Sequence, residues 1–228
     1  MANHPIFKPT FHGELERVRE LLVADPNIVS VRDAKNLTPL HVAASRDQSK
    51  VARLLLEHGA DVEGPSEGDQ WTPLVFAAYR GHLEAARVLL AFGAGVTEAD
   101  GNPIHFAGQR RHKALCQLLV HHGAIDDLLP PHDPEVTALF KAAYAFDSTK
   151  VADLLAKHPS LVHATDRHGR TALLEDCTFG DTKTVRALLR HGADIASPDH
   201  HGNLPVDRAI VHRQHSVVKL LKEHAAKP

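Results

Sequence analysis

The chain is short of the residues that staple small folds: it has two cysteines, one methionine, one tryptophan and two tyrosines among 228 residues. Two cysteines cannot build a disulfide framework, and Cys116 and Cys177 fall where helix interiors are expected, as small buried hydrophobes. No apolar run approaches the roughly 18–20 residues needed to cross a bilayer. Charge of neither sign prevails, with 26 Lys and Arg against 28 Asp and Glu, so the formal net charge of −2 offers no global attraction to nucleic acid. Glycine-rich phosphate loops, nucleophile elbows and metalloprotease motifs are missing, which removes the common catalytic signatures. Without a disulfide framework or an apolar leader segment, the sequence reads as a cytoplasmic protein with no membrane association.

What is present is repetition. The segment Thr38-Pro39-Leu40-His41-Val42-Ala43-Ala44 returns about every 33 residues. It recurs at Thr72-Pro73-Leu74 and Asn102-Pro103-Ile104-His105, and in looser form at His4-Pro5-Ile6, Thr137-Ala138-Leu139, Thr171-Ala172-Leu173 and Leu204-Pro205-Val206. The seven starts are 34, 34, 30, 35, 34 and 33 residues apart. Leucine pairs such as Leu55-Leu56, Leu89-Leu90 and Leu188-Leu189 follow, and four copies close on Gly59-Ala60, Gly93-Ala94, Gly123-Ala124 and Gly192-Ala193. A period of this length predicts stacked supersecondary units rather than one closed core.

Each unit can be read physically. Thr38 caps a helix whose first turn tolerates Pro39, because the amide lost there has no intrahelical partner. Leu40, Ala43 and Ala44 share one face of that helix, and small alanines let neighbouring units stack closely. After a turn near Gly81 or Gly180 a second helix contributes Val51, Leu54 and Leu55 to the same core. The closing glycines end that helix in a left-handed conformation. Copies one and five stop instead at Asp25-Pro26 and His158-Pro159. The stretch 126–135, with Pro130, Pro131 and Pro134, is expected to be a rigid irregular connection.

The T-P-L-H, A-A, L-L, G-A pattern resembles the ankyrin repeat family, in seven copies spanning almost the whole chain. The resemblance implies an all-α helix–turn–helix solenoid with hairpin-like loops. It is read as a single domain with repeats at 1–33, 34–66, 67–98, 99–131, 132–165, 166–198 and 199–228. It also implies partner binding on a concave surface made from hairpin tips and the outward side of each first helix. If Leu40, Ala43 and Ala44 face inward, positions 42, 45 and 46 face the groove. Carried along the repeats, that spacing collects six Lys or Arg, six aromatics and one acid, Glu175, in a chain only 5% aromatic. The candidate partner-binding residues are Arg46, Trp71, Phe76, Tyr79, Arg80, Phe106, Arg110, Lys141, Tyr144, Phe179, Arg208 and His212. Aromatics and arginine dominate binding hot spots, so the expected partner is another protein or an acidic peptide with some apolar surface. The protein is expected to be monomeric by itself.

Two further features need a place. Of 19 histidines, several follow the repeat pattern, but His163, His168, His200 and His201 lie on loops. None of their spacings matches a helical ligand pair or a zinc finger, so neither metal nor cofactor is expected. Asp176 stands where the repeat has a buried alanine, beside Glu175, and is expected to accept hydrogen bonds from Arg208 or a hairpin amide. With Tyr144, Arg208 and His212 these carboxylates define the alternative function: a small-molecule-binding protein or enzyme using a polar pocket in repeats five to seven.

Overall fold

The computed structural model describes residues 4–66, 70–97, 101–129 and 133–226. Fourteen α-helices occur among them, in seven antiparallel pairs: α1 (Phe7–His12) with α2 (Leu15–Ala24), α3 (Pro39–Ser45) with α4 (Ser49–Glu57), α5 (Pro73–Arg80) with α6 (Leu83–Ala91), and α7 (Pro103–Gln109) with α8 (Lys113–His121). The remaining pairs are α9 (Pro134–Tyr144) and α10 (Ser148–Lys157), α11 (Ala172–Phe179) and α12 (Thr182–Arg190), and α13 (Pro205–Val211) and α14 (His215–Ala225). The described loops hold no β-strand, only one antiparallel bridge between Thr165 and Thr171. Helices gather into two compact units, one ending at Ala107 and the other beginning at Gly108.

The local signals act as their chemistry requires. The Thr38, Thr72 and Thr171 hydroxyls each accept an amide of the first turn, from His41, Val75 and Leu174, and proline follows the first two. Asp133 and Asp147 cap α9 and α10 in the same way. Gly59, Gly93, Gly123 and Gly192 take φ of 83–87°, ending the second helices in the left-handed region where a Cβ would be strained. Where proline replaces that glycine, the chain leaves α2 and α10 through short 3₁₀ turns at Pro26–Ser30 and Pro159–His163. A third, Asp126–Leu128, opens the connection to α9; Pro130 and Pro131 lie outside the described residues.

Packing is between like helices of neighbouring pairs. In the first unit α3 lies on α1 and α5, and α4 on α2 and α6; in the second, α11 lies on α9 and α13, and α12 on α10 and α14. Leu40, Ala43, Ala44, Leu74, Ala77 and Ala78 are fully buried at these seams. Cys116 and Cys177 are buried free thiols, and burial pushes Cys116 up to about 12.

Candidate functional site

In the first unit the outward positions of α5 and α7, together with Trp71 just before α5, carry a half-exposed aromatic surface. It starts from His41, a fully buried imidazole. Its Nδ1 lies 3.1 Å from the Thr38 amide, which can only donate, so Nδ1 is the acceptor. Nε2 therefore carries the proton and donates to the Trp71 carbonyl at 3.1 Å. The Trp71 amide donates in turn to Ser66 Oγ at 3.0 Å, and the Ser66 amide to the Trp71 carbonyl at 2.9 Å. These bonds fix the backbone of the only tryptophan just before the start of α5.

Trp71 is the centre of the surface. Its ring centroid lies 5.4 Å from Phe76, 5.3 Å from Tyr79 and 4.7 Å from Phe106. Tyr79 and Phe106 are 6.2 Å apart, and His41 meets Phe76 edge-on at 5.5 Å. All four large rings are partly solvent-accessible rather than sealed in the core. At one side Arg46 stacks over Phe11 at 3.8 Å, and Phe11 itself is 39% exposed. Arg80 is exposed at the end of α5. Stacked rings held by backbone hydrogen bonds present apolar area at little entropic cost, with guanidinium groups available for carboxylates.

His41 also sets a pH dependence. Burial lowers its pKa from 6.5 to about 4. On acidification below about 6.5 the unfolded chain gains a proton that the folded chain refuses, so stability falls toward pH 4 by about 1.4 kcal/mol per unit. Urea unfolding at about pH 7 and pH 5 should show His41→Gln losing roughly 2 kcal/mol less than the wild type between the two. Equal losses would mean that His41 is not held neutral.

The second unit departs from the expected open groove. Tyr144 and Phe179 are 4% and 1% exposed, not outward-facing, and Glu175 and Thr178 are buried with them. Gly108 is the physical reason for Phe179: a Cβ there would lie 2.6 Å from Phe179 Cε1, so the ring rests on bare backbone. Tyr144 meets Phe179 edge-on at 5.3 Å, and Phe146 covers another side at 6.1 Å. The Gln109 amide and His212 Nδ1 approach to 3.3 Å. Arg110 is exposed. Lys141 is engaged by Asp126 at 2.7 Å.

The polar cluster is likewise internal. Arg170, which the sequence reading missed, pairs with Asp166 at 2.7 Å and with Glu175 at 3.0 Å. Tyr144 lies beside Glu175. Burial raises the Glu175 pKa despite that guanidinium. Arg208 pairs with Asp199 at 3.1 Å and not with Asp176. Asp199 also accepts from the Asn203 side-chain amide and from the Asn203 and His201 backbone amides, and these bonds hold it at about 2 in spite of burial. Both oxygens of Asp176 are buried without a hydrogen-bond partner, so the expected bond from Arg208 or a hairpin amide does not form. Glu175 and Asp176, 3% and 0% exposed, cannot reach a substrate, which removes the premise of the acid–base pocket. Asp166 is used the same way as Asp199, accepting the His168 and Arg170 amides at 2.8 and 2.9 Å. Among the described residues no three ligating groups converge as a metal site would require.

A family model for ankyrin repeats matches residues 7–100, 62–132 and 139–228 in three copies. With the helix pairs, capped first turns and left-handed closures already described, the chain belongs to the ankyrin repeat family. The ankyrin repeat protein nuc-2 of Neurospora crassa is 30% identical over 202 residues, 83% of this chain and 15% of that protein. The human ASB11 ankyrin repeat domain superposes with a TM-score of 0.66 at 25% identity, over 99% of this chain and 100% of that one. The ankyrin repeat domain of Bcl-3 gives 0.61 at 25% identity, over 97% and 99%. The chain spans about a third or less of the length of the curated relatives it matches. Ankyrin repeats are generally protein–protein interaction domains. Among the described residues no helix is long and apolar enough to cross a membrane.

Proposed function

We propose that this chain is a protein-interaction scaffold whose first unit binds an acidic, partly apolar peptide or protein surface. The observation that carries this reading is the half-exposed cluster of Trp71, Phe76, Tyr79 and Phe106, tied down through His41 and flanked by Arg46 and Arg80. A free surface with no partner has no use for four rings in mutual contact, and such rings beside arginine are typical of binding hot spots. In this reading the scaffold works as a cytoplasmic monomer and catalyses nothing itself.

The test uses a partner recovered by affinity capture from native lysate and then purified. Tyr79→Ala should weaken binding by about 1–3 kcal/mol, chiefly through faster dissociation. Arg46→Ala with Arg80→Ala should instead slow association and flatten its dependence on salt. A Tyr79→Ala, Arg80→Ala protein with native circular dichroism and unchanged affinity would place the binding surface elsewhere.

A further inference from the structure

A second feature lies in the other unit and is independent of the proposed binding face. The turns between the helices of three pairs meet there, around an open cleft of about 490 Å³ that Arg111, Gly180 and Arg213 line. In α1–α2, α5–α6 and α11–α12 the left-handed residue of this turn is glycine: Gly13, Gly81 and Gly180, with φ of 73°, 79° and 78°. In α7–α8 and α13–α14 it is arginine, Arg111 at φ 59° and Arg213 at φ 56°. A β-carbon resists that backbone conformation. Asp47 and Phe146 take the same position in their own pairs, and each has a visible use: Asp47 accepts the Ala85 amide, and Phe146 packs on Phe179. The two arginines share a cleft.

The charges around it do not balance. Arg186 and Lys219 join the two turn arginines on its wall, against one acid, Glu223. Lys219 reaches Glu223 at 3.8 Å, and Arg111 reaches the buried Asp181 at 3.8 Å. The side chains of Arg186 and Arg213, both exposed, have no ion pair or hydrogen bond among the described contacts, which leaves a surplus of two positive charges. Donors without charge surround them. Thr182 and Ser216 line the cleft, and they stand in the first turns of α12 and α14. Neither helix is capped by its own side chain: Gln214, at the α14 N-cap, donates to the Thr178 carbonyl at 3.1 Å, so the first amides of α14 face the cleft side unbridged.

We propose that this cleft binds a phosphate monoester dianion. A dianion matches the surplus charge, and its three terminal oxygens can accept forked hydrogen bonds from Arg186 and Arg213 together with the hydroxyls and first-turn amides. A lone carboxylate would leave one guanidinium uncompensated. The phosphate can belong to a phosphorylated side chain of a peptide or to a small free phosphate, and titration separates the two.

The experiment is calorimetric titration of the full chain with inorganic phosphate, with a phosphothreonine peptide whose other residues are uncharged, and with the same peptide unphosphorylated. Saturable binding of the phosphopeptide is expected, weakening as salt rises, with none for the unphosphorylated peptide. Inorganic phosphate equal to the phosphopeptide identifies a free phosphate as the ligand, whereas a clear preference for the peptide identifies a modified side chain. Arg213→Gly removes the guanidinium while supplying the residue that the turn favours, so the fold is kept. That variant and Arg186→Ala should each weaken binding roughly tenfold or more, while Arg53→Ala in the first unit leaves it unchanged. Absence of saturation by either phosphate up to about 10 mM overturns the proposal, because weaker binding carries no specificity. So does equal binding of the unphosphorylated peptide, or wild-type affinity in both Arg213→Gly and Arg186→Ala.

Discussion

Replacing Arg170 with methionine is expected to destabilise the fold by about 3–5 kcal/mol, because it strands two carboxylates that the guanidinium now neutralises. The Arg170 side chain is only 12% exposed and spans Asp166 at 2.7 Å and Glu175 at 3.0 Å, whose own side chains are 1% and 3% exposed. Tyr144, beside Glu175, brings no compensating charge. Breaking one side of a buried pair is costly, whereas replacing both sides with apolar groups is close to neutral. The double variant Arg170→Met, Glu175→Met should therefore recover most of the loss in urea unfolding. If the single variant unfolds at the wild-type midpoint, the network contributes nothing. If the double variant is no better than the single, the cost lies in packing and not in charge.

Asp176 should behave in the opposite sense: Asp176→Ala is expected to stabilise the protein by about 2–4 kcal/mol at pH 7. The carboxyl is fully buried, neither oxygen has a partner, and burial together with the neighbouring Asp181 and Glu175 raises its pKa far above 3.8. In the unfolded chain the same group ionises near 3.8. Above that pH the unfolded state releases a proton that the folded state keeps, so stability falls as pH rises, by about 1.4 kcal/mol per unit, until the folded pKa is passed. Alanine is the residue that the repeat pattern has at this place, and it removes the dependence. Unfolding midpoints measured from about pH 4.5 to 8 should show the gap between variant and wild type widening with pH. A variant less stable than wild type at pH 7 would show that Asp176 has a partner after all.

The parts of this molecule that repeat were legible, and the parts that depend on a particular neighbour were not. Thr38, Thr72 and Thr171 announce their helices because capping is a local affair of four residues, and the closing glycines are local in the same way. Helical spacing correctly placed Arg46, Phe76, Tyr79 and Phe106 outward on the first unit. Applied to Tyr144 and Phe179 the same spacing failed, because Phe179 rests on Gly108 and Phe146 and Tyr144 meets Phe179, contacts between helix pairs that no periodicity within one helix can see. Asp176 and Glu175 were visible as anomalies, but their surroundings were misassigned. Arg208 is taken by Asp199, nine residues before it, and the charge that meets Glu175 comes from Arg170 on the preceding loop. Arg111 and Arg213 passed unnoticed because a left-handed backbone leaves no mark on an arginine codon; the glycine at the equivalent turn in other pairs was the available signal.

The most direct test of the proposed binding face is site-specific photo-crosslinking. A benzoylphenylalanine placed at Tyr79 keeps a ring in the aromatic cluster, and one placed at Arg87, exposed on α6, samples a second-helix surface. After irradiation in native lysate, binding on this face predicts a discrete covalent adduct from position 79 that is absent from position 87 and lost when Trp71 is replaced by alanine. An adduct formed equally well from position 87, or one from position 79 that survives Trp71→Ala undiminished, would contradict it.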